Sequence, residues 1–406
     1  MTTAPMSRRR FLAGTAATCT AGAMAPLIRP GLAFAADGIT DHTLVVVTLD
    51  GGLDGLSALV PAGDAGYGRA RKLTRITDGR EIGVDQRFAL HPALAPLAEL
   101  WADGLVAAVP AVGTATRSRS HFAEMAVVAQ GTGGGSGDGT GWLARHLLTR
   151  AGGAVTLQGA SLGPLHALEL AGHHGAFHVP HLTAAGIQGW HPTRQAAAEQ
   201  SLANAYAAAA PELADPAAVA FDALSRLRSS GAAALPSRAT YQADPWADQL
   251  RQVAQLIRAD LGMEAAVVNF SGWDTHVGQG GSNGQLARLL DRLGRALDAF
   301  AADLGDQLNR LTVVVASEFG RRVAENGSGG TDHGSGGLAL VLGGGLRGGV
   351  HGTWPGLDAD ALDEGDLAVT TDIRSVLAEV VRGRLGNPAV DQVFPGFTPV
   401  PVGFVA

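Results

Sequence analysis

Five short apolar runs, rich in β-branched residues, stand out along the chain at Thr43 to Leu49, Leu105 to Val112, Ala265 to Phe270, Leu311 to Ser317 and Leu338 to Leu342. Each is apolar at successive rather than alternate positions and ends close to Gly, Asp, Asn or Ser, which predicts strands buried on both faces. Between them, apolar residues recur at helical spacing over His91 to Ala102, His121 to Gln130, Gly141 to Arg150, Gln195 to Ala209, Pro216 to Arg228, Ala247 to Leu261, Gln285 to Leu304 and Asp372 to Arg382. That alternation predicts an α/β fold with a mostly parallel sheet flanked by helices. Gly131 to Gly139 and Asn326 to Gly337 are dominated by small polar residues and predict flexible loops. No repeat of fixed period is present, so residues 36–406 read as one domain, with the Ala-rich helices around 195–255 as a candidate cap beside the sheet.

The first thirty-five residues follow another pattern. Ser7-Arg8-Arg9-Arg10-Phe11-Leu12 precedes an apolar stretch to about Ala25 and the small-residue site Ala33-Phe34-Ala35. These parts, in this order, predict a twin-arginine signal peptide cleaved after Ala35, with the twin-arginine translocase as a transient partner and a periplasmic or extracellular destination. The apolar stretch is too short and too interrupted for a retained anchor. The single cysteine, Cys19, falls inside the signal, and Ala16-Ala17-Thr18 before it makes a poor lipidation site. Export by this route suits a protein that folds first, commonly around a metal or cofactor.

The rest of the chain carries 26 of the 30 basic residues against all 37 acidic ones, a net charge of about −11. Nucleic acid is therefore a poor partner. With 46% hydrophobic and 17% charged residues the chain can bury a sizeable core, and disorder is excluded. No later stretch approaches twenty uninterrupted apolar residues, so no membrane span is expected after cleavage.

Open α/β sheets place ligands just past the carboxyl ends of their strands, and the residues there are unusually polar. The first run leads into Asp50-Gly51-Gly52-Leu53-Asp54-Gly55, two carboxylates in a turn that lets backbone amides approach an anion; the alternative is a turn in which Asp54 caps the next segment. The second leads into Thr116-Arg117-Ser118-Arg119-Ser120-His121-Phe122 at a helix start, a cradle for an oxyanion or phosphate; the alternative leaves Ser120 as an N-cap and the arginines solvated.

The third leads into Ser271-Gly272-Trp273-Asp274-Thr275-His276, and in an extended segment Asp274 and His276 point the same way, toward one divalent ion. Ser317-Glu318-Phe319-Gly320-Arg321 follows the fourth, and Thr331-Asp332-His333-Gly334 lies in the glycine-rich loop beyond. Mixed carboxylate and imidazole ligands suit Zn²⁺ first, with Mn²⁺, Mg²⁺ or Ca²⁺ as alternatives. Two such ions about 4 Å apart can activate a nucleophile and stabilise a leaving oxygen at phosphorus.

These segments, with Leu49-x-Gly51-Gly52-Leu53-Asp54-Gly55-Leu56 leading to Val60-Pro61, Arg119-Ser120-His121-Phe122, Gly141-Trp142-Leu143-Ala144-Arg145 and the export signal, resemble the bacterial family catalogued as domain of unknown function 1501. The resemblance covers nearly all of the chain after Ala35. That family is similar to the alkaline phosphatases and sulfatases, which implies a doubly wound, alkaline phosphatase-like α/β core with a metal cluster at its carboxyl edge. By the same resemblance Asp54 or Asp50 would bind metal after the first strand, Ser120 or Ser118 would be the nucleophile, and Asp274 with His276 would form the middle metal pair. Where many members of that superfamily carry Ser-Asp-His-Gly, this chain has Ser317-Glu318-Phe319-Gly320. Glu318 replaces the carboxylate, Phe319 cannot bind metal, and Asp332-His333-Gly334 is left to supply the later histidine, so one ion, two or none are all compatible.

The expected function is an exported metal-dependent hydrolase of phosphate or sulfate esters, small or polymeric. Ser120 attacks the central atom, Arg119 or Arg117 holds a non-bridging oxygen beside His121, and the resulting covalent serine ester is hydrolysed. The missing histidine supports a competing expectation, a non-catalytic exported binding or assembly protein that keeps the fold. Gly172-His173-His174-Gly175 reads as an exposed loop rather than a metal tract, His351 as a secondary ligand candidate, His91 as a helix cap, and Trp142 and Trp273 as packing residues.

Overall fold

A computed structural model describes residues 42–406 apart from 77–78, 80, 117, 136, 151–156 and 187–191. The export signal with Cys19, and Arg117, lie outside the described residues. The first apolar run forms β1 (Thr43–Asp50), followed in the same sheet by β2 (Val106–Gly113), β3 (Gly159–Leu162), β4 (Ala176–Val179), β5 (Ala265–Ser271), β6 (Leu311–Ala316), β7 (Gly337–Leu342), β8 (Gly349–Val350) and β9 (Thr371–Asp372). Across the sheet the order is β8-β2-β7-β6-β1-β5-β3-β4, with β9 also paired to β2. β1 lies parallel to β5, with Val45 opposite Ala266, and parallel to β6, with Val45 opposite Val313.

The sheet is mostly parallel, as expected, and β7 is its exception, antiparallel to both β2 and β6. Its amino end therefore meets the edge where β1, β5 and β6 finish. β3 and β4 were not foreseen: Gly-Ala-Ser-Leu and Ala-Phe-His-Val are four residues each and lack a β-branched run.

Seven helices matter for the layers: α1 (His121–Gln130), α2 (Trp142–Thr149), α3 (Pro192–Ala207), α4 (Pro211–Ser229), α5 (Pro245–Arg258), α6 (Gln285–Leu304) and α7 (Ile373–Gly383). Strand side chains alternate between faces. Val45, Val47 and Leu49 join Leu250 and Val253 of α5 and Leu290, Leu293 and Phe300 of α6 in one core. Leu44 and Val46 join Trp142 and Leu143 of α2 and Val376, Leu377 and Val380 of α7 in the other. Each fully buried aliphatic side chain contributes about 1.5–3 kcal/mol, so the two cores fix the sheet, and with it the edge where its strands end.

α4 begins at Pro211, five residues before its expected start, and carries Pro216 inside its first turns. Over His91 to Ala102 the chain forms a 3₁₀ turn, Pro92–Leu97, before a short helix, Ala98–Ala102, because Pro92 and Pro96 have no N–H to give. His91 caps that turn as expected, its Nδ1 accepting from the Ala93 amide at 2.9 Å. Trp142 and Trp273 are buried packing residues. Among the described residues no helix is long and apolar enough to cross a membrane.

Candidate metal centre

At the end of β1 the chain turns through Gly51 and Gly52, both at positive φ. A Cβ on Gly51 would stand 2.6 Å from the amide nitrogen of Asp274, so only glycine lets this turn lie against the segment after β5. The Asp50 carbonyl accepts from the amides of Gly272 and Trp273 at 3.2 and 3.3 Å, which docks the two strand ends together. Gly330 packs as closely on the backbone of His276 and brings the loop carrying Asp332 and His333 over the same edge.

Four side chains converge there. Asp274 Oδ1 lies 3.0 Å from His276 Nε2 and 3.2 Å from His333 Nε2, and its Oδ2 lies 3.6 Å from His121 Nε2. The Nε2 atoms of His276 and His333 are 2.9 Å apart. One ligand atom from each of His121, Asp274 and His333 fits within 4.8 Å of the others, and His276 adjoins two of the three.

Each ring is anchored through its other nitrogen. His121 Nδ1 is 2.6 Å from Glu318 Oε1, His276 Nδ1 is 3.1 Å from Asp332 Oδ1, and His333 Nδ1 is 2.8 Å from the Arg119 carbonyl. An acceptor at Nδ1 fixes the proton there and leaves a lone pair on Nε2, which is the arrangement that orients metal-binding histidines. Three such lone pairs then face one carboxylate. His121 Nε2 is buried without a hydrogen-bond partner, and two bare Nε2 atoms at contact distance repel. A cation relieves both faults, and nitrogen with carboxylate donors favours Zn²⁺.

Arg321 stands on the other side of Asp274. Fully buried, it donates to the carbonyls of Gly52 at 2.6 Å, Thr331 at 2.8 Å and Trp273 at 3.2 Å, to that of Gly51, and to Asp274 Oδ1 at 2.5 Å. Partial burial alone would raise the Asp274 pKa, but the hydrogen bond and charge of Arg321 hold it below the usual carboxylate range.

The other sequence-predicted residues have different places. Glu318 and Asp332 orient rather than converge: Glu318 also accepts from the Gly51 amide at 2.9 Å and Ser317 Oγ at 2.8 Å, and Asp332 accepts from Asn326 Nδ2 at 2.9 Å. Asp54 is not brought into the cluster. Its buried carboxylate is taken by Arg71 at 2.6 and 3.1 Å, Ser57 at 2.7 Å and Gln279 at 2.6 Å, so both oxygens are engaged and its charge is already met by Arg71. Asp50 Oδ2 is buried and unpartnered, and burial followed by the charge of Glu318 pushes its pKa up to about 6.

Ser120 occupies the N-cap position of α1, but its exposed hydroxyl makes no capping bond, and Ser118 Oγ accepts from the Ser120 amide at 3.2 Å. Neither hydroxyl is bonded to a cluster residue. The Arg119 guanidinium is held by Asp366 at 3.0 Å, away from the oxyanion role expected of it. Phe319 forms a wall, its ring centroid 4.8 Å from that of His121 and 4.9 Å from that of His333.

His173 is buried rather than exposed, and only His174 of that pair faces solvent. His351 bonds the Arg347 carbonyl at 2.6 Å and packs on Phe404, away from the cluster residues. Sequence reasoning passed over Arg71, Arg321, Asn326, Asp366 and the Arg119 carbonyl. Only Arg321 had a signal, its place at the end of the Ser317-to-Arg321 segment.

The fold and this edge define an α/β protein with a cluster of histidines around one carboxylate, a candidate cation site, where its parallel strands end. The chain belongs to the family described as protein of unknown function (DUF1501), whose model matches residues 41–375. No curated protein matches it. Among solved structures it is similar to Ps i-CgsB in complex with k-i-k-neocarrahexaose, at 10% identity over 85% of this chain and 72% of that one, with a TM-score of 0.38. It is also similar to the PsFucS1 sulfatase from Pseudoalteromonas sp., at 13% identity over 90% of this chain and 73% of that one, with a TM-score of 0.35. Neither likeness is close enough to assign chemistry.

Proposed function

We propose that this protein is an exported, metal-dependent hydrolase of phosphate or sulfate esters that works with one divalent ion, Zn²⁺ by donor type, held by Asp274, His121, His276 and His333. The observation that carries this reading is the convergence of three imidazole Nε2 atoms on Asp274, each ring anchored through Nδ1. One ion rather than two follows from Arg321, whose guanidinium already occupies the far side of Asp274 Oδ1. When bound, the ion supplies Lewis-acid stabilisation of the charge that develops on the ester oxygens.

The chain's own residues do the rest. Ser120 presents a hydroxyl not spent on capping, one residue before His121, and it is the nucleophile in this reading. Its Oγ bonds to phosphorus or sulfur as the bond to the departing alcohol breaks, the alcohol takes up the serine proton, and water later frees the serine. The unpaired amides at the start of α1 favour an anionic oxygen there. Arg321 contributes a fixed positive charge and holds Asp274 in place. The Ser7-to-Leu12 segment would direct export through the twin-arginine translocase to the periplasm or exterior.

One observation favours the second reading, a non-catalytic binding or assembly protein: neither Ser118 nor Ser120 is bonded to a base. Metal analysis by plasma mass spectrometry separates the two, with His333→Ala and Asp274→Ala alongside. About one equivalent in the parent, lost in both variants, supports the site. Turnover of a phosphate or sulfate ester that disappears in Ser120→Ala then establishes the hydrolase, and metal without turnover of any such ester leaves the binding protein. A folded parent that takes up no metal sinks the metal-dependent reading.

A further inference from the structure

Along the chain Asp366 lies outside every motif that marks the site, in the hairpin formed by Leu362–Asp363 and Asp366–Leu367. It is 1% exposed, yet its carboxylate reaches two segments of the metal centre at once. Oδ2 accepts from Arg119 Nη2 at 3.0 Å and from Ser335 Oγ at 3.0 Å. Arg119 gives its carbonyl to His333 Nδ1 and stands two residues before His121. Ser335 stands two residues after His333, in the loop that carries it. Oδ1 is buried without a hydrogen bond, with Arg322 Nε 3.5 Å away.

Burying a carboxylate costs several kcal/mol unless its partners repay it. A hairpin of two two-residue strands has no need of such a group for its own turn. What this one does is tie the segment that supplies the acceptor carbonyl to the loop that supplies the imidazole. We infer that Asp366 is a positioning residue for the metal centre: by clamping Arg119 and Ser335 together it keeps the Arg119 carbonyl on His333 Nδ1, and so keeps the His333 lone pair on Nε2, facing Asp274. The inference rests on the metal reading for its consequence, but the clamp itself is a property of the metal-free protein. Asp366 touches no reacting atom and acts through Arg119 and His333.

The test uses the full chain, uniformly labelled with ¹⁵N and stripped of metal, and reads the tautomer of His333 by long-range proton–nitrogen correlation. Zn²⁺ affinity is measured in parallel by competition with a chromophoric chelator. The parent should show His333 protonated at Nδ1, and Asp366→Ala should move it to Nε2 or to a mixture. Zn²⁺ affinity should fall by about 10–100-fold, as for other outer partners of metal-binding histidines. Arg119→Ala, which changes a half-exposed side chain, should reproduce both changes. The double variant should be no worse than either single one, since both cut the same link.

Parent-like tautomer and affinity in Asp366→Ala overturn the inference, whatever happens to its melting temperature. If Asp366→Ala does not fold, Arg119→Ala decides by the same two readings. If the parent takes up no Zn²⁺, the metal reading fails, and the tautomer shift alone upholds or overturns the clamp.

Discussion

Asp50 and Asp54 bracket the same glycine-rich turn, four residues apart, and the fold treats them in opposite ways. Asp54 is fully buried and saturated: Arg71, Ser57 and Gln279 take up its oxygens, and although burial alone would raise its pKa, Arg71 holds it below the usual range. Asp50 has no cation, keeps one buried oxygen unpartnered, and is pushed up to about 6 by burial and by Glu318. A residue type at a strand end is thus no guide to its role. Saturated carboxylates hold the edge together, and incomplete donor sets, such as Asp274 with its three histidines, are where an ion can enter.

The largest effect is expected on the saturated side. Asp54→Ala leaves the Arg71 guanidinium buried with no carboxylate, only the carbonyls of Val323 and Arg322 and the Ser57 hydroxyl, so it should cost about 3–5 kcal/mol in urea denaturation. Zn²⁺ uptake by the fraction that still folds should match the parent. Loss of metal from a variant of parent-like stability would put Asp54 back into the ion site and break the contrast.

Next comes another buried carboxyl without a cation. Glu169 is pushed up to about 7, by burial first and to a lesser degree by the charge of Asp50. Because its folded pKa lies above its unfolded value, the unfolded chain gives up this proton first. Stability is therefore full below about pH 4.5 and declines as pH rises through about 7, by up to about 3 kcal/mol. Glu169→Gln should melt higher than the parent at pH 8 and alike at pH 4. Equal melting temperatures at both would show that Glu169 finds a partner and belongs with Asp54.

How far the sequence carried these conclusions depends on whether the cause was local. Thr43–Asp50 and Ala265–Ser271 were readable because consecutive β-branched residues suit a strand buried on both faces. The reversed direction of Gly337–Leu342 was not, since an apolar run looks the same from either end. Asp274, His276 and His333 stood out because chemistry just past strand ends is positioned by the sheet itself. His121 reads in the sequence as part of an anion cradle, and its place among the candidate ligands appears only once Glu318, 197 residues away, fixes its ring. Asp54 was given to the metal because nothing in its turn shows that Arg71 will fold back onto it. The partners of Arg321 are mostly backbone carbonyls from three other segments, which no side-chain pattern encodes.

Two glycines sharpen the contrast at a smaller energy. Gly51 at φ 120° and Gly272 at φ 106° are both strained by any side chain, but only at Gly51 would a Cβ strike backbone, that of Asp274. Gly51→Ala should cost about 1–3 kcal/mol and weaken Zn²⁺ binding, because the displaced segment carries the central ligand. Gly272→Ala should show a comparable strain cost with affinity unchanged. If the two variants lose affinity equally, the docking of the glycine turn is not what places Asp274.

The smallest stability effect belongs to Ser120. Serine at an N-cap is ordinarily worth about 1 kcal/mol through its bond to the first turn, but this hydroxyl makes no such bond. Ser120→Ala should therefore change stability by less than about 0.5 kcal/mol, the range of an ordinary surface substitution, and leave Zn²⁺ binding intact because His121 is held by Glu318 and not by its neighbour. A loss of about 1 kcal/mol would mean that the hydroxyl caps α1 in solution, which would give Ser120 a structural role like that of Asp54. A hydroxyl that costs nothing to remove, one residue from His121 of the candidate metal centre, is free to serve chemistry. The same variant, folded, metal-loaded and inactive on an ester the parent hydrolyses, would locate the nucleophile with no correction for stability.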